Sequence, residues 1–278
     1  MRYGVHAGLW MARWTDELAP ILGTVAELGF DGIEVSLLGM TEARAEEAGR
    51  QARTLGLAVT CSDGLPRQAD VTSDDEGTRA RGLDHLRRSV RLAAAMGAQS
   101  LAGVTYAPWG LFVPGRKRER LARSAETLAL LDGDLRAHGV TLGLEALNRF
   151  ETDLLNTAAE ATALAEATGS DRIGVLLDTF HLNVEEKDVR AAIARTGARL
   201  SHFHVSDNDR GVPGSGHVPW GGVRAGLAEA GYDGWIVAEM FVRAGTPAGD
   251  DLSIWRHIEP DPTDAARRAL AFLRETWG

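Results

Sequence analysis

The sequence predicts an α/β fold of one class, a single (β/α)8 TIM barrel occupying residues 1–278 as one domain. Three observations predict it. Eight short apolar runs alternate with longer Ala- and Leu-rich segments of helical period. The runs start at residues 3, 32, 58, 100, 141, 173, 200 and 235, so they lie 26 to 42 residues apart, the length of one strand–helix unit. The first run leads into Ala7-Gly8-Leu9-Trp10-Met11, which lacks the G-x-G-x-x-G turn that opens a doubly wound sheet.

Taken in order, strand Tyr3–His6 precedes helix Thr15–Leu28, and strand Gly32–Val35 precedes helix Thr41–Leu55. Strand Ala58–Cys61 precedes Arg79–Met96, and strand Ser100–Val104 precedes Arg118–His138. Strand Thr141–Glu145 leads to Thr157–Thr168, Ile173–Leu177 to Lys187–Thr196, Leu200–His204 to Gly222–Ala230, and Trp235–Glu239 to Thr263–Thr276. Gly29, Gly97, Gly139 and Gly231 sit where helices should stop, because glycine takes the left-handed conformation without steric cost. The irregular stretches Ser62–Asp75, Pro108–Gly115 and Asp207–Gly216 all follow strands. On a barrel they crowd the C-terminal mouth, where active sites of this fold lie.

Composition narrows the function. Hydrophobic residues make up 44% and charged residues 25%, ordinary globular usage that excludes a disordered or fibrous chain. Thirty basic against 39 acidic residues give a net charge of −9, which is poorly suited to phosphate backbones, so nucleic acid is not an expected partner. No apolar run is long enough to span a bilayer, no signal-peptide pattern opens the chain, and the lone Cys61 permits no internal disulfide. These features lead to the expectation of a cytoplasmic protein with no membrane contact. Cys61 ends an apolar strand and reads as a wall residue, not a nucleophile.

The last residues of strands five to eight form a pattern. Glu145 ends Thr-Leu-Gly-Leu-Glu, Asp178 follows Ile-Gly-Val-Leu-Leu, His204 ends Leu-Ser-His-Phe-His, and Glu239 follows Trp-Ile-Val-Ala. Each charge interrupts or ends an apolar run, where an uncompensated charge is costly. The spacings of 33, 26 and 35 residues place one such group on each of four neighbouring strands. Alone, a strand-end Glu is a cap or an ion-pair partner and a strand-end His a hydrogen-bonded structural residue. Three carboxylates and an imidazole at one rim instead call for a divalent cation. An oxygen-rich set with one nitrogen suits Mn²⁺, Mg²⁺ or Co²⁺ with positions left open for substrate oxygens, whereas Zn²⁺ more often gathers His or Cys.

Longer strings sharpen this reading: Gly143-Leu-Glu-Ala-Leu-Asn-Arg-Phe-Glu151, Leu177-Asp-Thr-Phe-His-Leu-Asn183, His202-Phe-His204 followed by Arg210 and Gly214-x-Gly216, Val218-Pro-Trp220, and Gly231-Tyr-Asp-Gly234. With Leu28-Gly-Phe-Asp31 and Ala102-Gly-Val-Thr105, they resemble, nearly end to end, the D-tagatose 3-epimerase family. That family includes D-allulose (D-psicose) 3-epimerases and lies within the xylose-isomerase-like barrel superfamily. The resemblance implies one divalent metal ion, commonly Mn²⁺, held by Glu145, Asp178, His204 and Glu239, with Glu145 and Glu239 also the catalytic proton-transfer pair. It implies substrate contacts near O1 and O2 from Glu151, His181 and Arg210, a small-molecule sugar substrate, and a homodimer or homotetramer. Trp109 and Trp10 are candidates to pack against the sugar's apolar face.

Two segments depart from the family pattern. The mouth of the first strand reads His6-Ala-Gly-Leu-Trp10 where relatives are more aromatic, and the segment after His204 reads Val-Ser-Asp-Asn-Asp-Arg where Gly-Glu-x-Asn-Arg is common. Both leave the four strand-end groups intact and leave the sugar's identity open. The expected reaction is epimerisation of a ketose at C3 through an enediolate, with a base on one face and an acid on the other. Alternatives are an aldose–ketose isomerase, an epimerase of a related sugar acid or sugar phosphate, or an endonuclease IV-like phosphodiesterase. The last needs histidines at earlier strand ends, where this chain has Val35, Cys61 and Val104. A sugar-binding barrel without catalysis has no use for an opposed pair of glutamates. Outside the metal set, His181 could instead only support its neighbours, Arg210 could be a solvated loop charge, and Glu151 could pair with Arg149.

Overall fold

Strand β1 (Arg2–His6) pairs in parallel with β2 (Gly32–Ser36) on one side and β8 (Trp235–Ala238) on the other, which closes the barrel in the computed structural model of residues 1–278. The remaining strands are β3 (Ala58–Leu65), β4 (Ser100–Pro108), β5 (Thr141–Glu145), β6 (Ile173–Asp178) and β7 (Leu200–Val205), and spatial order follows chain order throughout. Helices α1 (Ala19–Leu28), α2 (Glu42–Thr54), α3 (Glu76–Met96), α4 (Lys117–Ala129) and α5 (Asp132–His138) cover the first half. Helices α6 (Ala158–Ala167), α7 (Thr179–Glu185), α8 (Val189–Thr196), α9 (Trp220–Glu229), α10 (Pro247–Asp251) and α11 (Pro262–Trp277) cover the second. The expected (β/α)8 barrel is therefore the observed fold. Buried Leu101, Leu142, Val175 and Phe203 fill strand positions of the core, and buried Leu86, Leu128 and Leu273 face the sheet from the helices.

The structure differs from the expected elements where local pairing outweighs pattern. The segment Arg118–His138 is two helices. Leu130 and Leu131 donate three residues back, to Thr127 and Leu128, and this tightened turn bends the chain so that Leu131 and Leu135 are buried while Leu130 faces solvent. Helix α1 starts at Ala19, not Thr15, because the Asp16 carboxylate accepts the N–H groups of Ala12 and Arg13 and folds that segment into a turn. Strands β3 and β4 run past Cys61 and Val104 to Leu65 and Pro108. Gly103 permits this: its φ is +118°, and a Cβ there would lie 2.4 Å from the Asp63 carbonyl oxygen. The register shift at Gly64/Leu65 carries both strands further into the mouth. Cys61 is fully buried, and burial pushes its thiol well above the usual range, away from nucleophilic use.

Candidate active site

The ends of β5 to β8 converge. Glu145 closes β5, Asp178 closes β6, His204 is the penultimate residue of β7, and Glu239 follows β8 with its N–H bonded to the Val205 carbonyl. Each offers one ligand atom, and these four atoms lie within 4.8 Å of one another. All four residues are buried. The register that pairs His204 with Asp178 on one side and with Val237 on the other sets their depth in the barrel.

A loop residue joins the cluster. Arg210 adopts φ +66°, unusual for a side chain of its size, and its guanidinium points inward. Its Nη1 donates to Asp178 Oδ2 at 2.5 Å and to Glu239 Oε2 at 2.9 Å, and its planar face rests 4.1 Å from the Phe180 ring. Arg210 is thus a buried group and not a solvated loop charge. The loop is shaped by Asp207, whose carboxylate accepts the N–H groups of Asn208, Gly214 and Val218 and the Trp220 indole N–H.

His181 is the first-turn residue of α7 that faces the same space. Its Nδ1 accepts the Asn148 backbone N–H at 3.1 Å, while its Nε2 lies 3.7 Å from Glu145 Oε1 and 3.1 Å from the Arg210 Nη2 donor. Glu151 receives Asn148 Nδ2 at 2.8 Å and the Trp109 indole N–H at 3.1 Å. Arg149 pairs with Glu185 instead, so the alternative Glu151–Arg149 pairing is not formed. Glu145, Glu151, His181, Arg210, Glu239 and Trp109 all line one cavity of about 570 Å³. Trp10 does not. Its indole donates to Thr263 at the start of α11, and Trp14 and Phe241 supply the aromatic wall.

The electrostatics show how crowded the negative groups are. Burial, then the Glu239 charge, pushes Glu145 well above the usual carboxylate range. Burial raises Asp178 to about 6, with Arg210 opposing and Glu239 adding to the rise. For Glu239 burial acts upward too, but His204 and Arg210 outweigh it and hold it below the ordinary value. Burial and Arg210 keep His181 well below the usual imidazole range, and so neutral. Burial disfavours a charged His204, yet Glu34 and Glu239 drive its value well up.

These residues fit a divalent cation. His204 Nδ1 is a buried nitrogen with no hydrogen-bond partner, 3.4 Å from Glu239 Oε1. Burial and the neighbouring Glu239 carboxylate raise both Glu145 and Asp178, a crowding of negative groups that a cation would relieve. Three oxygens and one nitrogen make a hard donor set of the kind that Mn²⁺ or Mg²⁺ takes.

Four further polar residues near the site escaped the sequence reading. His6 and Ser62 line the cavity from β1 and β3 and are hydrogen-bonded at 3.0 Å, and Asp63 holds His85 of α3 at 3.0 Å. Their partners are far apart in sequence, so no local spacing marks them. A fifth, Glu34, lies beneath the cluster, in contact with His204. It is a lone charge in the apolar run Gly-Ile-Glu-Val-Ser, the same signal that marks the strand-end carboxylates.

Comparison with known proteins agrees with this architecture. The model of the xylose isomerase-like TIM barrel family matches residues 22–276. An L-ribulose 3-epimerase of Mesorhizobium japonicum is 36% identical over 98% of this chain and 93% of its own. A D-psicose 3-epimerase of Agrobacterium fabrum is 32% identical over the whole of both chains. Among solved structures, a D-psicose 3-epimerase crystallised in the presence of D-fructose superposes with a TM-score of 0.95 at 32% identity over 100% of both chains. An L-ribulose 3-epimerase superposes with 0.92 at 35% identity, over 99% of this chain and 94% of the other. No helix of the chain is long and apolar enough to cross a membrane. By family model, full-length identity and fold alike, this chain belongs to the D-tagatose/D-allulose (D-psicose) 3-epimerase family of xylose isomerase-like TIM barrels, enzymes of the isomerase class.

Proposed function

We propose that the chain is a metal-dependent ketose 3-epimerase that interconverts free ketoses at C3, working as one barrel domain. The observation that carries this reading is the meeting of Glu145 and Glu239, from β5 and β8, with Asp178 and His204 in one buried cluster opening to the cavity. A divalent cation held by these four, with Mn²⁺ favoured and Mg²⁺ or Co²⁺ as substitutes, supplies Lewis-acid stabilisation to adjacent sugar oxygens.

The chain's own groups do the rest. The C3 proton is acidified by the neighbouring C2 carbonyl, and its removal leaves an enediolate. Inversion needs the proton to leave one face and return on the other. Glu145 and Glu239 stand on strands separated by β6 and β7, so they can flank the carbon. One takes the proton, the other gives one back, and the roles exchange in the reverse direction. With Nδ1 accepting from Asn148, His181 can turn Nε2–H toward O2 as the Arg210 guanidinium moves from the ring to the sugar, so that both donate where negative charge develops. Glu151, braced by Asn148 and Trp109, accepts from a sugar hydroxyl, and the Trp109 ring forms an apolar wall. Glu145, Glu239, His181 and Arg210 are all buried, which limits access of water to the enediolate.

The relatives' names make L-ribulose and D-psicose the first sugars to test. With free and phosphorylated ketoses and Mn²⁺ in D₂O, the proposal expects a C3 epimer carrying deuterium at C3. Deuterium at C1 or C2 with an aldose product would instead assign an aldose–ketose isomerase. The chain is further proposed to work in the cytoplasm as a homodimer or homotetramer, which light scattering on the purified protein reads.

A further inference from the structure

Glu34 is a carboxylate in the middle of β2 with no exposed surface, and the proposed reaction gives it no part. Its two oxygens are treated differently. Oε2 accepts the Thr60 hydroxyl at 2.8 Å and His202 Nε2 at 2.7 Å, and His202 is braced in turn by Ser100 Oγ at 3.1 Å from its Nδ1. Oε1 has no hydrogen-bond partner but faces His204 Nε2 at 2.8 Å, itself without one, the two being close yet out of line. On the other edge of the same ring, His204 Nδ1 faces Glu239 Oε1. The carboxylate is therefore locked by two donors so that its spare oxygen is aimed at the far nitrogen of His204.

The geometry points to Glu34 as a positioning residue for the cation site, which holds the His204 ring hydrogen on Nε2 and so presents the Nδ1 lone pair to Glu145, Asp178 and Glu239. This rests on the reading of those four residues as a cation site. A neutral imidazole carries one ring hydrogen, and a carboxylate acceptor at one nitrogen decides that it is the other that ligates. A small rotation of the ring brings Nε2–H into line with Oε1. Thr60 and His202 account for Oε2 alone, so packing of the barrel floor leaves the second oxygen unexplained.

The test titrates metal-stripped protein with Mn²⁺ by calorimetry and repeats thermal melts with and without Mn²⁺, for wild type, Glu34→Gln, Glu34→Asp and Asp178→Asn. In Glu34→Gln the amide carbonyl can serve Thr60 and His202, while its NH₂ faces Nε2 and forces the hydrogen onto Nδ1. The expected result is about 10- to 100-fold weaker Mn²⁺ binding. With it go a smaller Mn²⁺-induced rise in Tm, a metal-free Tm close to wild type, and recovery of most of the affinity in Glu34→Asp. Wild-type affinity in a folded Glu34→Gln protein, with binding lost in Asp178→Asn, overturns the role of Glu34 while the cation site stands. Absence of Mn²⁺ binding in the wild type overturns both. Should Glu34→Gln fail to fold, Thr60→Val carries the test: freeing the carboxylate weakens Mn²⁺ binding if Glu34 positions the ring, and unchanged affinity refutes it.

Discussion

The two halves of the barrel mouth are built from different chemistry. The half formed by β5 to β8 is a dense set of charges, Glu145, Asp178, His204 and Glu239, with Arg210 bridging Asp178 and Glu239. The half formed by β1 to β4 turns the neutral polar groups His6 and Ser62 to the cavity, while its Asp63 carboxylate is engaged by His85 and Ser89 and its Glu34 lies beneath the cluster. His6 accepts the Gly8 N–H at Nδ1, so its Nε2–H donates to Ser62 Oγ, which leaves the Ser62 hydroxyl hydrogen free to serve another acceptor. Burial holds His6 below the usual imidazole range and so uncharged. Charge on one wall suits proton transfer, and fixed neutral hydrogen bonds on the other suit recognition. Changes on the first should fall on kcat, and changes on the second on KM.

The largest effect expected is on the charged wall. Glu145→Gln and Glu239→Gln should each lower kcat by about 10²- to 10⁴-fold with Tm nearly unchanged, in steady-state assays of C3 epimerisation. Near-native turnover in both would erase the distinction between the walls. Next, Gly103→Ala should destabilise the neutral half by about 1–3 kcal/mol in denaturant titration, because it forces a side chain into φ +118° against the Asp63 carbonyl. A smaller change is expected for Ser62→Ala, which removes one neutral hydrogen-bonding group. KM should rise about 2- to 10-fold with kcat held, since a net hydrogen bond contributes about 0.5–1.5 kcal/mol.

The smallest effect concerns the loop that carries Arg210. Burial raises Asp207, but the N–H groups that point at it, those of Asn208 and Val218 among them, and the Trp220 indole outweigh it and lower the carboxyl below its ordinary value. A carboxyl lowered on folding stabilises above its unfolded pKa of about 3.9, and that contribution is lost as pH falls through the folded value. Melting curves between neutral and acid pH should therefore converge for wild type and Asp207→Asn, the wild type being the more stable only at the upper end.

How much of this the sequence disclosed follows the same division. The charged wall is legible because each group stands at the end of an apolar run, one strand–helix unit from the next. Glu34 carries that signal at mid-strand and is overlooked by a rule that inspects strand ends. The neutral wall is nearly illegible. Ser62-Asp63-Gly64-Leu65 has the composition of a turn, and only pairing with β4 around Gly103 keeps it extended. His6 and Ser62 are 56 residues apart, so their bond leaves no local mark. Trp10 lies close in sequence to the mouth, yet the one-turn 3₁₀ segment Ala7–Leu9 carries it past the rim toward Thr263. The helical pattern of Arg118–His138 is continuous in sequence, and its break depends on which of Leu130 and Leu131 the barrel can bury.

The central claim is that four side chains share one divalent ion while two of them move the proton at C3. Its most direct test is to strip the protein with a chelator and assay L-ribulose and D-psicose in D₂O before and after adding Mn²⁺, following deuterium at each carbon by NMR. The account predicts that both epimerisation and labelling at C3 vanish in the stripped protein and return with Mn²⁺. Undiminished C3 exchange in protein shown to be free of metal would contradict it.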